Sequence, residues 1–215
     1  MVEPPAPSTW PFANLPDARV LLAGDVCFDA MALSWLARAR KWEMVQRAFG
    51  TRAKIPDRVR GELAGWSRSY PEISNLMPPT FGQSIKLDRA GAQRASDRQR
   101  AWLGKETILA DPKRDRGEAE CLELCQQRGW PLVSHDARAR RDGERQGTPV
   151  LTLVEVLMVL VSRGEMLAAS AWRAYVGLVG PDKRTDMLEC RDWPITPEAE
   201  AAFDGCCSAL QTPPA

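Results

Sequence analysis

The sequence holds a single histidine, His135, among 215 residues. An acid–base ribonuclease built on two histidines is therefore excluded, and a His-rich zinc site is disfavoured. There is no excess of either charge: 29 Lys and Arg stand against 28 Asp and Glu, for a net +1. Any contact with nucleic acid must then rest on a local patch rather than on a basic field of the whole protein. The longest apolar run, Val156 to Val161, is far too short to cross a bilayer, so no membrane partner is expected. The opening MVEPPAPSTWPF has neither a basic start nor an apolar core and does not read as a secretion signal. No glycine-rich phosphate loop of the Walker type occurs. Six cysteines without export features read as reduced thiols, and the expected location is cytoplasmic. Cys121 and Cys125 with Cys206 and Cys207 would make a zinc set, yet Cys125 shares a helix face with Leu122 and reads as a small buried hydrophobe.

What is present is a globular composition, 44% apolar and 27% charged, in a length that suits one domain with appendages or two very small ones. Residues 1–17 carry five prolines and read as a flexible leader. Residues 18–180 form the expected domain. Residues 181–215 read as a tail with one helical stretch near Glu198–Leu210. Arg19–Ala23 reads as a strand ending at Asp25, and Ala30–Phe49 as one helix closed by Gly50. Ile55-Pro56 is a brief extended step before a helix over Asp57–Trp66. Residues 67–105 read as an insertion, loop-like to 84 and then an arginine-dense helix. A helix over Glu118–Arg128, closed by Gly129, leads to a strand Pro131–Ser134. A charged helix, a strand at Pro149–Leu151 and a capping box, Thr152 with Glu155, follow. This alternation predicts an α/β fold, a parallel sheet with helices on its faces.

Ligands gather at the carboxyl ends of such strands. Asp25 and Asp136 are expected there. Glu118 shares a helix face with Leu122 and Cys125 and should point to the sheet, whereas Glu120 and Glu123 should face water. In the first turn of its helix, Glu118 should be held ionised by the positive helix end. Glu62 aligns with Val59 and Leu63. Asp29 competes with Asp25, Asp115 and Glu120 compete with Glu118, and Asp142 could assist Asp136. Carboxylates that converge without basic partners repel one another unless a cation compensates, and hard oxygen donors select Mg²⁺ or Mn²⁺. Arg138, Arg140 and Arg141 follow Asp136 directly, where they could hold a nucleic-acid backbone. Trp102 and Trp130 could stack on bases.

The stretch GEAECLELCQQRGWPLVSHDARARRDGERQGTPVLTLVEVLMVLVSRGEM resembles the second half of a PIN domain. Upstream, VLLAGDV resembles the family's first strand with its metal aspartate, and IPDRVRGEL its helix with a metal glutamate. The resemblance spans about residues 18–180. It implies a three-layer α/β/α fold and metal-dependent endoribonuclease activity that leaves 5′-phosphate and 3′-hydroxyl ends. It also implies a role as the toxin of a bacterial toxin–antitoxin pair, with an antitoxin and a second copy of the chain as partners. Carried over, Asp25, Glu62, Glu118 and Asp136 bind Mg²⁺ or Mn²⁺, and Ser134 stands on the substrate side where the family often has threonine. Leu178, Val179, Met187, Leu188, Trp193, Trp35 and Trp42 are candidates for a partner surface. The competing expectation is a non-catalytic PIN-like module that binds RNA or protein.

Overall fold

The computed structural model describes residues 18–76, 82–179 and 195–211. Five strands, β1 (Val26–Phe28), β2 (Ala53–Pro56), β3 (Gln83–Ile85), β4 (Leu132–Val133) and β5 (Val150–Leu151), form one all-parallel sheet in the order β3-β2-β1-β4-β5. Strands β1, β2, β4 and β5 are buried at every residue, as a parallel sheet covered on both faces requires. The helices are α1 (Ala30–Arg38), α2 (Trp42–Phe49), α3 (Asp57–Trp66), α4 (Arg89–Leu103), α5 (Lys105–Ala110), α6 (Arg116–Arg128), α7 (Ala137–Arg145), α8 (Leu153–Ser162), α9 (Ala168–Val179) and α10 (Pro197–Gln211). Helix α6 packs on β1, β2 and β4 with α3, α4 and α7 beside it, while α8 gathers α2, α9 and α10. The result is the expected three-layer α/β/α architecture. Among the described residues no helix is long and apolar enough to cross a membrane.

The first strand is not where the sequence pattern put it. Ala18–Leu21 is a 3-10 turn, and β1 begins only at Val26. Two short apolar runs compete here, and periodicity cannot separate them. The structure decides through the carbonyls. Arg52 donates to the oxygens of Leu21 and Gly24, and Arg163 to that of Leu22, so the earlier run is satisfied by guanidinium groups instead of a ladder. Val26 and Cys27 pair with Ala53 and Lys54 on one side, and Cys27 and Phe28 with Leu132 and Val133 on the other.

Other expectations are corrected by packing. The helix expected over Ala30–Phe49 breaks into α1 and α2 at Arg40, whose φ is 56°. The bend lets Trp35 and Leu36 on one helix and Trp42 and Val45 on the other all reach the core; Trp35 and Trp42 are thus buried and offer no partner surface. Within 67–105 the stretch expected to be loop supplies β3, which pairs with β2, and the expected arginine-dense helix is present as α4, lying along α6. Gly91 permits the close approach, since a β-carbon there would collide with the Gln127 side chain. The helical stretch expected near Glu198–Leu210 is α10, and it packs on α8 and α9. Its Phe203 is buried, 5.9 Å from the Trp172 ring and 6.2 Å from that of Tyr175. Residues 1–17, Met187, Leu188 and Trp193 lie outside the described residues, as do the side chains of Leu178 and Val179. The Thr152–Glu155 capping box is present, with the Thr152 side chain accepting from the Val154 amide.

Candidate acidic site at the sheet switch point

The strand order reverses between β1 and β4, where connections leave the sheet in opposite directions and open a crevice beyond the carboxyl ends. Asp29 follows β1 and Asp136 follows β4 at this point. Asp29 is the N-cap of α1: its Oδ1 accepts from the Ala32 amide at 2.6 Å. Asp136 is the N-cap of α7, its Oδ1 accepting from the amides of Arg138 and Ala139 at 2.9 and 2.7 Å. Each aspartate is thereby oriented by a helix start through one oxygen. The second oxygen of Asp29, Oδ2, is buried without a hydrogen-bond partner. Ser134 lies fully buried between the two acids; its Oγ accepts from the Asp136 amide at 3.1 Å, and its hydroxyl lies beside Asp29. It positions both aspartates and is not exposed to a substrate, a correction to the role expected for it.

Glu118 and Glu62 reach the same region from α6 and α3. Burial pushes the Glu118 carboxyl up to about 8, with the charges of Asp29, Glu62 and Asp136 adding to it. The expectation that the helix start would hold Glu118 ionised is thus overturned, because desolvation and three carboxylates outweigh it. Asp29 is raised to about 7, chiefly by burial, with Asp136 contributing and the Ser134 and Ala32 hydrogen bonds opposing. Burial also raises Glu62, and Glu120 adds to that, while Arg58 at 3.5 Å partly offsets it. Among the described residues no ion pair engages Asp29 or Glu118, whose charged neighbours are carboxylates. The Glu62 carboxylate lies against Gly117, a position only a residue without a β-carbon leaves open.

Asp25 stands apart. It precedes β1 instead of following it, and it pairs with Lys54 at 3.3 Å. The later position of the strand moves the acid at its carboxyl end from Asp25 to Asp29, four residues on. A signal for this was present: Asp29 directly precedes the helical AMALSWLA run, the position of an N-cap. Asp115 and Glu120 line the cleft with Glu62 and Glu118, but each is held by arginine, Asp115 by Arg138 and Glu120 by Arg116 at 2.8 Å. The cleft, about 880 Å³, also takes in Arg58, Lys113 and Arg114.

Glu123 does not face water as expected. It is buried and bound by Arg94 at 2.6 Å and Arg98 at 3.3 Å. Arg98 also holds Asp142 at 3.0 Å, which fixes that acid in the α4–α6–α7 contact instead of beside Asp136. Arg140 is drawn inward toward His135 and Glu155, Arg138 is committed to Asp115, and Arg141 is exposed. His135 is buried, and its Nε2 accepts from the Leu153 amide at 2.9 Å. Burial and Arg140 take it down to about 3, so it is a neutral cap on α8. Cys27 joins Cys121 and Cys125 in the core under α6, a grouping invisible in sequence because Cys27 lies on β1. Burial pushes the Cys121 and Cys125 thiols well up, which keeps them protonated.

The donor chemistry fits a hard divalent cation: buried carboxylates raise one another's pKa, and one oxygen is orphaned. As the side chains stand, no three His, Cys, Asp or Glu among the described residues are arranged to hold an ion together, so the acids would have to draw in around it. No family model, curated protein or solved structure matches the chain.

Proposed function

We propose that the chain is a metal-dependent endoribonuclease of PIN-like type in which Asp29, Glu62, Glu118 and Asp136 hold Mg²⁺ or Mn²⁺. The observation that carries this reading is that Asp29, Glu118 and Asp136 stand near enough at the switch point for their charges to oppose one another's ionisation, with no basic partner on Asp29 or Glu118. Such mutual repulsion is costly in a fold unless a cation is bound there in the working state. A bound divalent cation supplies polarisation of the phosphodiester and an acidified water for attack on phosphorus. The protein's part is positioning. Helix starts fix the Asp29 and Asp136 carboxylates, Ser134 beside Asp29 accepts from the Asp136 backbone amide, and Gly117 lets Glu62 approach α6. RNA phosphates meet the α7 arginines at the edge of the cleft. The narrower reading, a toxin silenced by an antitoxin and acting as a homodimer, rests on the PIN resemblance.

A non-catalytic RNA- or protein-binding module is favoured by a different observation: Glu62 already has Arg58, and the acids are not gathered into a ligand set. Cleavage of total RNA by purified protein with Mg²⁺, Mn²⁺ or EDTA separates the two. Metal-dependent cleavage that Glu118→Gln abolishes supports the nuclease. A folded protein inert with both metals supports the module.

A further inference from the structure

Next to the acidic cleft is a second recess, about 460 Å³, lined by Trp102, Arg138, Arg141, Glu144 and Arg145. Its basic wall follows from the sequence of α7. Arg138, Arg141 and Arg145 fall at i, i+3 and i+7 on one face, while Ala139, Asp142 and Gly143 pack inward. Gly143 brings the helix close to β5, since a β-carbon there would stand 3.0 Å from the Thr148 carbonyl and collide with Val150. The other wall is Trp102 in the last turn of α4, half-buried against the core and therefore held in place. Among the described residues no basic side chain lies over its ring.

The two cavities share a border. Arg138 lines the recess, Asp115 lines the cleft, and the two are ion-paired. A chain of phosphates crossing that border passes from a basic, aromatic surface to a carboxylate cluster. The cluster by itself repels phosphate, so a polyanion needs a cationic footing beside it to present one phosphodiester there. Arg141 and Arg145 are exposed; each donates its Nε to a carbonyl one turn back, Ala137 at 3.1 Å and Arg141 at 3.3 Å, and Arg145 is further engaged to Asp142 at 3.5 Å.

We propose that this recess binds the nucleotide flanking the scissile phosphate of single-stranded RNA, its base stacked on Trp102 and its phosphate on Arg141 and Arg145. This rests on reading the acidic cleft as a ribonuclease site. A base can lie flat on Trp102 only if it has left its own stack, which selects single strands, loops or ends over duplex.

Fluorescence anisotropy with a fluorescein-labelled single-stranded RNA of about ten nucleotides, in EDTA, reads binding without cleavage. Trp102→Ala is expected to weaken binding about tenfold, and Trp102→Phe to restore most of it. Arg141→Ala with Arg145→Ala, both at exposed positions, should lower the slope of log K against log salt by about 0.7, the share of one phosphate. Wild-type affinity in Trp102→Ala and in the arginine double variant, or no binding by the wild type, overturns the proposal. The outcomes separate it from the nuclease reading. Weakened binding in a protein that cleaves with neither metal sinks the nuclease and keeps the recess. Undiminished binding and cleavage by the recess variants does the reverse.

Discussion

The carboxylate of Glu62 rests on the backbone of Gly117: a β-carbon at position 117 would stand 2.7 Å from Oε2 and 2.9 Å from Oε1. Helices α3 and α6 thus bring two acids, Glu62 and Glu118, to one place through an absent side chain. Gly117→Ala should displace the Glu62 head group, which is the far end of a flexible side chain, while improving helix propensity by up to about 1 kcal/mol. Melting temperature is expected to hold or rise while RNA cleavage falls about tenfold to a hundredfold. Cleavage at the wild-type rate would show that Glu62 has no role in the reaction.

Asp29 and Asp25 make a controlled comparison. Asp29→Asn keeps an N-cap oxygen for the Ala32 amide, so the fold should survive with little loss. Metal-dependent cleavage should be abolished. Asp25→Asn loses only a partly exposed pair with Lys54, worth about 1 kcal/mol or less, and should cleave normally. An active Asp29→Asn beside an inactive Asp25→Asn would reverse the assignment.

Stability without metal should depend on pH in a definite sense. Burial and neighbouring carboxylates push Glu118 up to about 8 and Asp29 up to about 7 in the fold, from ordinary values of 4.5 and 3.8. Between those limits the folded state binds more protons than the unfolded one, so its stability declines as pH rises. Their stabilising protonation is complete below about pH 4 and lost by about pH 8. Thermal melts in EDTA should show the melting temperature falling from pH 5 to pH 8, and Glu118→Gln should flatten the fall. Mn²⁺ should raise the melting temperature more at pH 8 than at pH 5, because it binds the ionised acids. A melting temperature that climbs across this range in EDTA would contradict the arrangement.

Glu123 predicts the opposite behaviour to Glu118. Its carboxylate is nearly inaccessible and neutralises Arg94 and Arg98, the latter with a side chain only 10% exposed. Glu123→Ala removes one of the two carboxylates on the buried Arg98, leaving Asp142 in place, and should cost about 2 kcal/mol in denaturant unfolding. Cleavage below the lowered melting transition should be unaffected.

Much of this was legible in the sequence. Helix boundaries with a chemical mark came through well: Gly129 ends α6 with φ +67°, Asp136 opens α7, and the Thr152–Glu155 box opens α8. Spacing sends Leu122 and Cys125 of α6 into the core, but it does not separate Glu118 from Glu120: both are partly buried and line the same cleft. Strands were harder. Three-residue β1 and the apolar run before it are indistinguishable by pattern, and only the arginines that cap the earlier carbonyls decide between them. Polar residues misled for a related reason. Glu123 reads as solvent-facing until α4, dozens of residues earlier in the chain, lays Arg94 and Arg98 over it. Local chemistry determined which segments turn, cap and coil, since those interactions are completed within a few residues. Tertiary structure decided which aspartate ends the first strand, which acids face one another and which are neutralised, because each depends on a partner the linear pattern does not place.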